Sequence, residues 1–334
     1  MEPIRGTFKS TDGIHESVYK IWEPEGEIHG VVQLSHGMCE HTARYDEYAR
    51  HLSAQGIVFA GNDHLGHGET ASDDIDLGFF GKKAGGDLLV NDVHKMTGIL
   101  KEKYPSVPLV LLGHSMGSFV ARLYLSEYAE ELDGAIIMGT MGTKSPTALG
   151  KILAATIRLV RGDRHRSKLL KKIVFGGYTK RFGKNAHPAS WISKDTDRVL
   201  KYAADPKCTF DFTAAGYFDL FDMVSCVSTR EWAARIPVDL PMLLISGAED
   251  PVGSYGKGVG QVAGLIAGAG AKDLTVKLFP GDRHEVLNET DREDVYEYID
   301  GWLRDHVFER EDKKTDENGS LMSENTDPAG GNGI

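Results

Sequence analysis

What this chain lacks narrows the field first. No apolar run in its 334 residues reaches the ~18–20 positions that a bilayer-crossing helix needs. The opening residues, Met1-Glu2-Pro3-Ile4-Arg5-Gly6, hold no apolar signal core. Cysteine is scarce: Cys39, Cys208 and Cys226 cannot all pair and show no metal-ligand spacing. Free thiols in a cytoplasmic protein are therefore expected. A positive surplus is missing too. The formal net charge is −11, which argues against nucleic acid as a partner. There is no internal repeat. Gly61 and Gly66-His67-Gly68 lack both G-x-G-x-x-G and a Lys-Ser/Thr ending, so phosphate cradling is not expected. His36, His41, His64 and His67 lie close in sequence, but no carboxylate or cysteine completes a ligand set at recognisable spacing. No metal and no other cofactor is expected.

What is present centres on Gly113-His114-Ser115-Met116-Gly117. It follows the apolar run Pro108–Leu112 and leads into Ser118–Leu125, which reads as a helix. This is G-x-S-x-G in the strand–turn–helix context that gives the motif meaning. Glycines on both sides let strand and helix approach, and the strained turn exposes Ser115 at the positive end of a helix.

Around this turn, strands alternate with helices. Gly6–Lys9 and Ser17–Trp22 flank Asp12-Gly13 as an antiparallel hairpin. Gly30–Ser35, Gly56–Ala60, Leu109–Leu112 and Ala135–Met138 read as buried strands. Leu89, Val93, Met96 and Leu100 fall on one helical face. The alternation stops there. It resumes at Met242–Ser246, followed by a helix near 258–267, the strand Leu274–Phe279, and a last helix. That helix is expected to open with a capping box at Thr290 and Glu293 and to bury Val295, Tyr298, Ile299 and Trp302. The pattern predicts an α/β fold: a mostly parallel central sheet with helices on both faces. Residues 1–141 and 236–308 would form the core, 142–235 an inserted helical cap, and 309–334 a disordered acidic tail.

A serine hydroxyl needs a base, and the base needs an orienting carboxylate. In this architecture the chain order is nucleophile, acid, histidine. Asp250, after the strand Met242–Ser246, fits the acid, with Glu249 as its near competitor. His284, after the strand Leu274–Phe279, fits the base; the other histidine beyond Asp250 is His306, near the end of the last helix. His114 is expected to pack beneath the turn. Two donors must face the oxyanion. The candidates are the backbone N–H groups of Met116, next to Ser115, and of Met38, in the loop after the third strand.

Several blocks stand in one order: His36-Gly37-Met38 with Glu40-His41 and Tyr45; Asp63-His64-Leu65-Gly66-His67-Gly68; the turn at Ser115; Ser246-Gly247-Ala248-Glu249-Asp250-Pro251-Val252; and Arg283-His284-Glu285-Val286-Leu287-Asn288-Glu289. Over roughly residues 5 to 305 the chain resembles the monoacylglycerol lipase and lysophospholipase group of α/β-hydrolases, a sequence family that also includes serine aminopeptidases. The resemblance implies an α/β-hydrolase fold and cofactor-free ester hydrolysis through an acyl-enzyme. The cap carries no matching block, so no head-group residue is transferred, and oligomeric state is not encoded in these motifs.

The expected substrate is thus a single-chain lipid ester. An aminopeptidase would need cap carboxylates to hold an amine, but residues 151–184 contain eleven Lys or Arg against one acid, Asp163. A catalytically inactive binding protein is the other alternative, opposed by the intact Ser115, Asp250 and His284. Aspartate-nucleophile dehalogenase and epoxide hydrolase chemistry is excluded by Ser115. The basic stripe Lys144, Lys151 and Arg158, spaced by seven, would present one charged face to an anionic membrane surface, placing the protein peripherally at the inner membrane face.

Overall fold

The computed structural model describes residues 2–143 and 147–309. Lys144 and the expected tail beyond Glu309 lie outside the described residues. The strands are β1 (Ile4–Lys9), β2 (Glu16–Trp22), β3 (Gly30–Ser35), β4 (Ile57–Asn62), β5 (Leu109–His114), β6 (Gly134–Met138), β7 (Met242–Gly247) and β8 (Leu274–Phe279). They form one sheet in the order β1-β2-β4-β3-β5-β6-β7-β8. β1 and β2 pair antiparallel, as the hairpin reading expects, and β2 runs antiparallel to β4. All pairings from β4 through β8 are parallel.

The two faces of the sheet follow from the period of two along each strand. Leu109, Leu111, Ala135, Ile137, Met242 and Leu244 turn to one side. There they meet α2 (Gly85–Lys103), α3 (Met116–Leu125) and α9 (Lys257–Gly268). Val110, Leu112, Ile136, Met138, Leu243 and Ile245 turn to the other, against α1 (Asp46–Ser53) and α10 (Arg292–Leu303). Central strands covered on both faces must be apolar throughout, which is why β3, β5 and β7 read as continuous runs rather than alternating ones.

Between β6 and β7 the described residues form α4 (Thr147–Arg161), α5 (Lys168–Phe175), α6 (Thr196–Ala204), α7 (Ala214–Cys226) and the short α8 (Arg230–Ala233), with no strand. α7 buries Leu220, Met223 and Val224 in the core, and α4 rests on α7. Lys151 and Arg158 do lie on one face of α4, but that face turns inward. Their cationic ends lie 5.2 and 4.9 Å from the centroid of the Phe218 ring and pair with Asp222 and Asp163. Long basic side chains bury their stems on the aromatic ring while their heads reach acids. The outward face of α4 is apolar instead, with Leu149, Ile152, Leu159 and Val160 exposed.

The start of α10 differs from the expected capping box. The helix begins at Arg292, and the N-cap residue Asp291 makes no side-chain cap. Its carboxylate is drawn to Lys194, 2.7 Å away. Tyr296, rather than Tyr298, joins Val295, Ile299 and Trp302 on the buried face.

Candidate active site

β5 ends at His114 and α3 begins at Met116, so Ser115 alone makes the turn. Its φ of 53° and ψ of −117° place it in backbone space that a residue with a Cβ rarely occupies. Three contacts hold it there. Ser115 N–H donates to Met138 O (2.9 Å), and Ser115 O accepts from Ser118 N–H (2.9 Å) and Ser118 Oγ (2.5 Å). A Cβ on Gly117 would run into the Ser35 and His36 carbonyls, so only glycine lets α3 sit this close to the end of β3.

Asp250 lies past the end of β7, fully buried. Its Oδ2 accepts from Ser246 Oγ (2.9 Å) and its Oδ1 from Val252 N–H (2.8 Å). Burial alone would raise this carboxyl. The charge and hydrogen bond of His284, with the Ser246 and Val252 donors, outweigh it and hold Asp250 below its ordinary value. His284 Nδ1 stands 3.0 Å from Asp250 Oδ2, while its Nε2 is buried without a protein hydrogen-bond partner. The competitor Glu249 points away, toward Arg181, and His306 pairs with Asp273.

The loop bearing His284 is tied to the segment between α5 and α6. Trp191 O accepts from His284 N–H (3.4 Å) and Ile192 O from Glu285 N–H (2.7 Å). Glu289, fully buried, accepts from Arg283 N–H (2.6 Å), Ser193 Oγ (2.8 Å) and Lys194 N–H (2.8 Å).

A second buried network lies beneath Ser115, and the sequence reading assigned it no role. Glu40 Oε1 accepts from Gly37 N–H (2.5 Å), Tyr45 Oη (2.9 Å) and His114 Nδ1 (2.9 Å). Glu40 Oε2 accepts from Arg44 (2.8 Å), which also forks onto Glu285 (2.8 and 2.7 Å). Burial opposes ionisation of both Glu40 and His114, yet the pair prevails: Glu40 is held well below, and His114 above, its ordinary range. His114 is buried as expected, and its ring also lies tilted against that of His284, 4.8 Å between centroids. Glu40 thereby fixes the loop that carries Met38. Gly37 packs so closely on Ser115 that an added Cβ would stand 3.1 Å from the serine Cβ. Met116 is the first residue of α3, where a backbone N–H has no intrahelical acceptor. His36, His64 and His67 cluster beside this loop, fully buried, and desolvation lowers all three, His67 to about 3.

Above Ser115 opens a cavity of about 260 Å³. Ser115, His284, His114, Glu40 and Glu285 are among its lining residues. Phe119 from α3, Leu220, Phe221 and Val224 from α7, and Ile173 and Val174 from α5 supply apolar walls.

The sheet order, the serine turn after β5 and the helical segment after β6 define an α/β-hydrolase. A family model described as "Serine aminopeptidase, S33" matches residues 26–291, and the chain belongs to that family. It is 27% identical over 293 residues to a monoacylglycerol lipase of Mycolicibacterium smegmatis, covering 87% of this chain and 93% of that protein. Against the human monoglyceride lipase it is 26% identical over 287 residues, 85% of each chain. The fold is similar to that of a thermostable carboxyl esterase from Bacillus coagulans, crystallised in complex with glycerol. The TM-score is 0.86 at 31% identity, covering 92% of this chain and 99% of that one.

Proposed function

We propose that this protein is a serine esterase that cleaves single-chain lipid esters, such as monoacylglycerols or lysophospholipids, through an acyl-enzyme on Ser115. One observation carries the reading: a strained serine and the histidine of a buried Asp–His pair line the same, largely apolar cavity. Ser115 Oγ attacks the ester carbonyl carbon as its proton passes to His284 Nε2. The oxyanion is met by the N–H groups of Met38 and Met116. Collapse of the intermediate expels the alcohol, which takes the proton from His284. Water, deprotonated by His284, then attacks the acyl-enzyme and releases the fatty acid. Asp250 holds the imidazole in the required tautomer and stabilises its charged form.

Residues 142–235 act as a cap in this reading, with the acyl chain along Phe119, Leu220, Phe221 and Val224. The peptidase alternative loses support at Glu40 and Glu285. Both line the cavity, but Arg44 and His114 already engage them, so neither carboxylate is free to hold an amine. No helix among the described residues is long and apolar enough to cross a membrane. We propose peripheral contact through the outward face of α4 instead. The test is a panel of p-nitrophenyl esters, monoacylglycerols, lysophospholipids and aminoacyl amides assayed with a fluorophosphonate probe. Ester turnover that tracks probe labelling of Ser115 supports the proposal. Amide turnover without lipid-ester turnover, or a serine that never labels, overturns it.

A further inference from the structure

Sequence spacing offers no metal-ligand set, yet the fold brings one together from distant segments. The ligand atoms of His41, Asp205 and Cys208 lie within 4.8 Å of one another. His41 follows the loop that carries Met38 and Glu40, while Asp205 follows α6, with Cys208 one turn further on. His41 Nε2 stands 2.9 Å from Asp205 Oδ2. Asp205 is already fixed on its turn. Its Oδ1 accepts from Lys207 N–H (2.8 Å), and its carbonyl accepts from Cys208 N–H (3.0 Å) and Thr209 Oγ1 (3.3 Å). The Cys208 side chain is buried, and the residue is among those lining a cavity of about 520 Å³. The side chains of His41 and Asp205 keep 14% and 31% exposure.

We infer that His41, Asp205 and Cys208 form a binding site for a divalent transition-metal ion, with Zn²⁺ the best match. An imidazole nitrogen, a carboxylate oxygen and a thiolate sulfur are the donors that ion prefers, and water completes the tetrahedron. At bond lengths of about 2.0–2.3 Å the donors of a tetrahedral site stand roughly 3.3–3.7 Å apart. Closing from the present spacing takes about 1 Å of side-chain movement. On binding, the Cys208 thiol gives its proton to solvent and the ion replaces the His41–Asp205 hydrogen bond. The site would fasten the segment after α6 to the loop beside Ser115, so occupancy stabilises the fold.

The experiment uses the full-length protein, stripped with chelator, desalted and titrated with Co²⁺. The expected result is a near-ultraviolet thiolate-to-cobalt charge-transfer band with the visible bands of a four-coordinate centre. It should saturate at one equivalent and be displaced by Zn²⁺, which should also raise Tm by several degrees. Cys208→Ser removes the charge-transfer band, and His41→Gln and Asp205→Asn each weaken binding by about tenfold or more. Asp205 is the more exposed ligand, so its variant keeps the test open should a buried substitution fail to fold. Cys226→Ser, which alters the exposed cysteine, leaves the titration unchanged. No band in the unmodified protein, a band that survives Cys208→Ser, or a band lost with Cys226→Ser overturns the site. Because the readout is metal binding, each result is independent of whether the esterase reading holds.

Discussion

His284 donates through Nδ1 to Asp250 Oδ2 across 3.0 Å, and its opposite nitrogen is left buried with no protein partner. A buried imidazole nitrogen without a hydrogen bond costs free energy unless something arrives to use it. The Trp191 carbonyl at the His284 backbone and the His114 and Trp191 rings, 4.8 and 5.0 Å from the imidazole, restrain the ring in this pose. In the proposed esterase mechanism this nitrogen is the base that takes the proton of Ser115.

Ser115→Ala is expected to lower esterase kcat by about 10³-fold or more, leaving residual catalysis from the oxyanion donors and binding alone. His284→Ala should cost about as much. Asp250→Asn should cost somewhat less, since the base remains but its tautomer and charge are no longer enforced. Steady-state kinetics on one p-nitrophenyl ester, with circular dichroism to check the fold, measure this. Full activity in pure Ser115→Ala protein would remove the assignment.

Stability should carry a pH signature from Glu40 and His114. Glu40 is depressed below its ordinary 4.5, so its contribution is present above that pH and is lost as pH falls through its folded value. His114 is raised above its ordinary 6.5, so its contribution is complete below that pH and is lost as pH rises through its folded value. The pair therefore stabilises most between about pH 4.5 and 6.5. Glu40→Gln should destabilise the protein by about 3–5 kcal/mol in that window and flatten the pH dependence around it. Urea melts at several pH values read both effects. An unchanged pH profile in the variant would show that the pair is not ionised.

The framework was legible because its signals are local. Strand runs, helix faces and the serine turn are each written within a few neighbouring residues, and the chain order of Ser115, Asp250 and His284 follows from which strand each residue trails. The misreadings were of another kind. Thr290 and Glu293 have the spacing of a capping box, but Lys194, far away in sequence, draws Asp291 and the cap does not form. Lys151 and Arg158 share a helical face, yet Phe218, Asp222 and Asp163 decide that the face points inward. Arg44 and Glu285 stand 241 positions apart, so neither flags its partner. The acidic residues inside the loop blocks next to the site, Glu40, Glu285 and Glu289, were the available hint that buried polar networks lay there.

Arg122 should prove to be a clamp on the cap. It is fully buried with no carboxylate partner among the described residues, and burial pushes its guanidinium down to about 9. Its Nη1 donates to Thr140 Oγ1 and Met141 O (3.2 Å each), where the chain leaves β6. Its Nη2 donates to Val227 O, where the chain returns after α7, and Trp232 covers it. Arg122→Met is expected to lose roughly 2–5 kcal/mol, because two carbonyls, Met141 O and Val227 O, and the Thr140 hydroxyl lose a charged donor. Limited proteolysis should then cut between residues 142 and 229 sooner than elsewhere. Equal protection across the variant would mean that Arg122 serves the core alone.

The cavity wall sets chain length if the acyl site is correctly placed. Val224 is buried in α7 and lines the cavity. Val224→Phe should narrow the path for a long chain while sparing an acetyl group. Each buried CH₂ is worth about 0.8 kcal/mol, so kcat/KM for a dodecanoyl ester relative to the acetate should fall by about tenfold or more. Overpacking itself costs about 1–3 kcal/mol of stability, which a melt reports separately. An unchanged ratio would move the acyl chain elsewhere.

Membrane contact should depend on α4's outward apolar residues rather than on its inward basic ones. Leu159 and Val160 are 88% and 70% exposed, and burying two such side chains in an interface yields about 3–6 kcal/mol at most. Arg161 on α4 and Lys168 and Lys172 on α5 make no ion pair with any described residue, and under the proposed membrane contact they are the cations available to anionic lipid. Each adds roughly 1 kcal/mol, screened within a Debye length. Sedimentation with anionic vesicles should therefore fall about tenfold or more for Leu159→Ser with Val160→Ser. It should weaken with salt and with Lys168→Glu and Lys172→Glu. By contrast, Lys151→Glu with Arg158→Glu should lower Tm, because those heads lie over Phe218 and pair with Asp222 and Asp163, while leaving vesicle binding largely intact. Vesicle binding that responds to Lys151 and Arg158 but not to Leu159 and Val160 would reverse which face of α4 meets lipid. No binding at low salt would remove the membrane from the account.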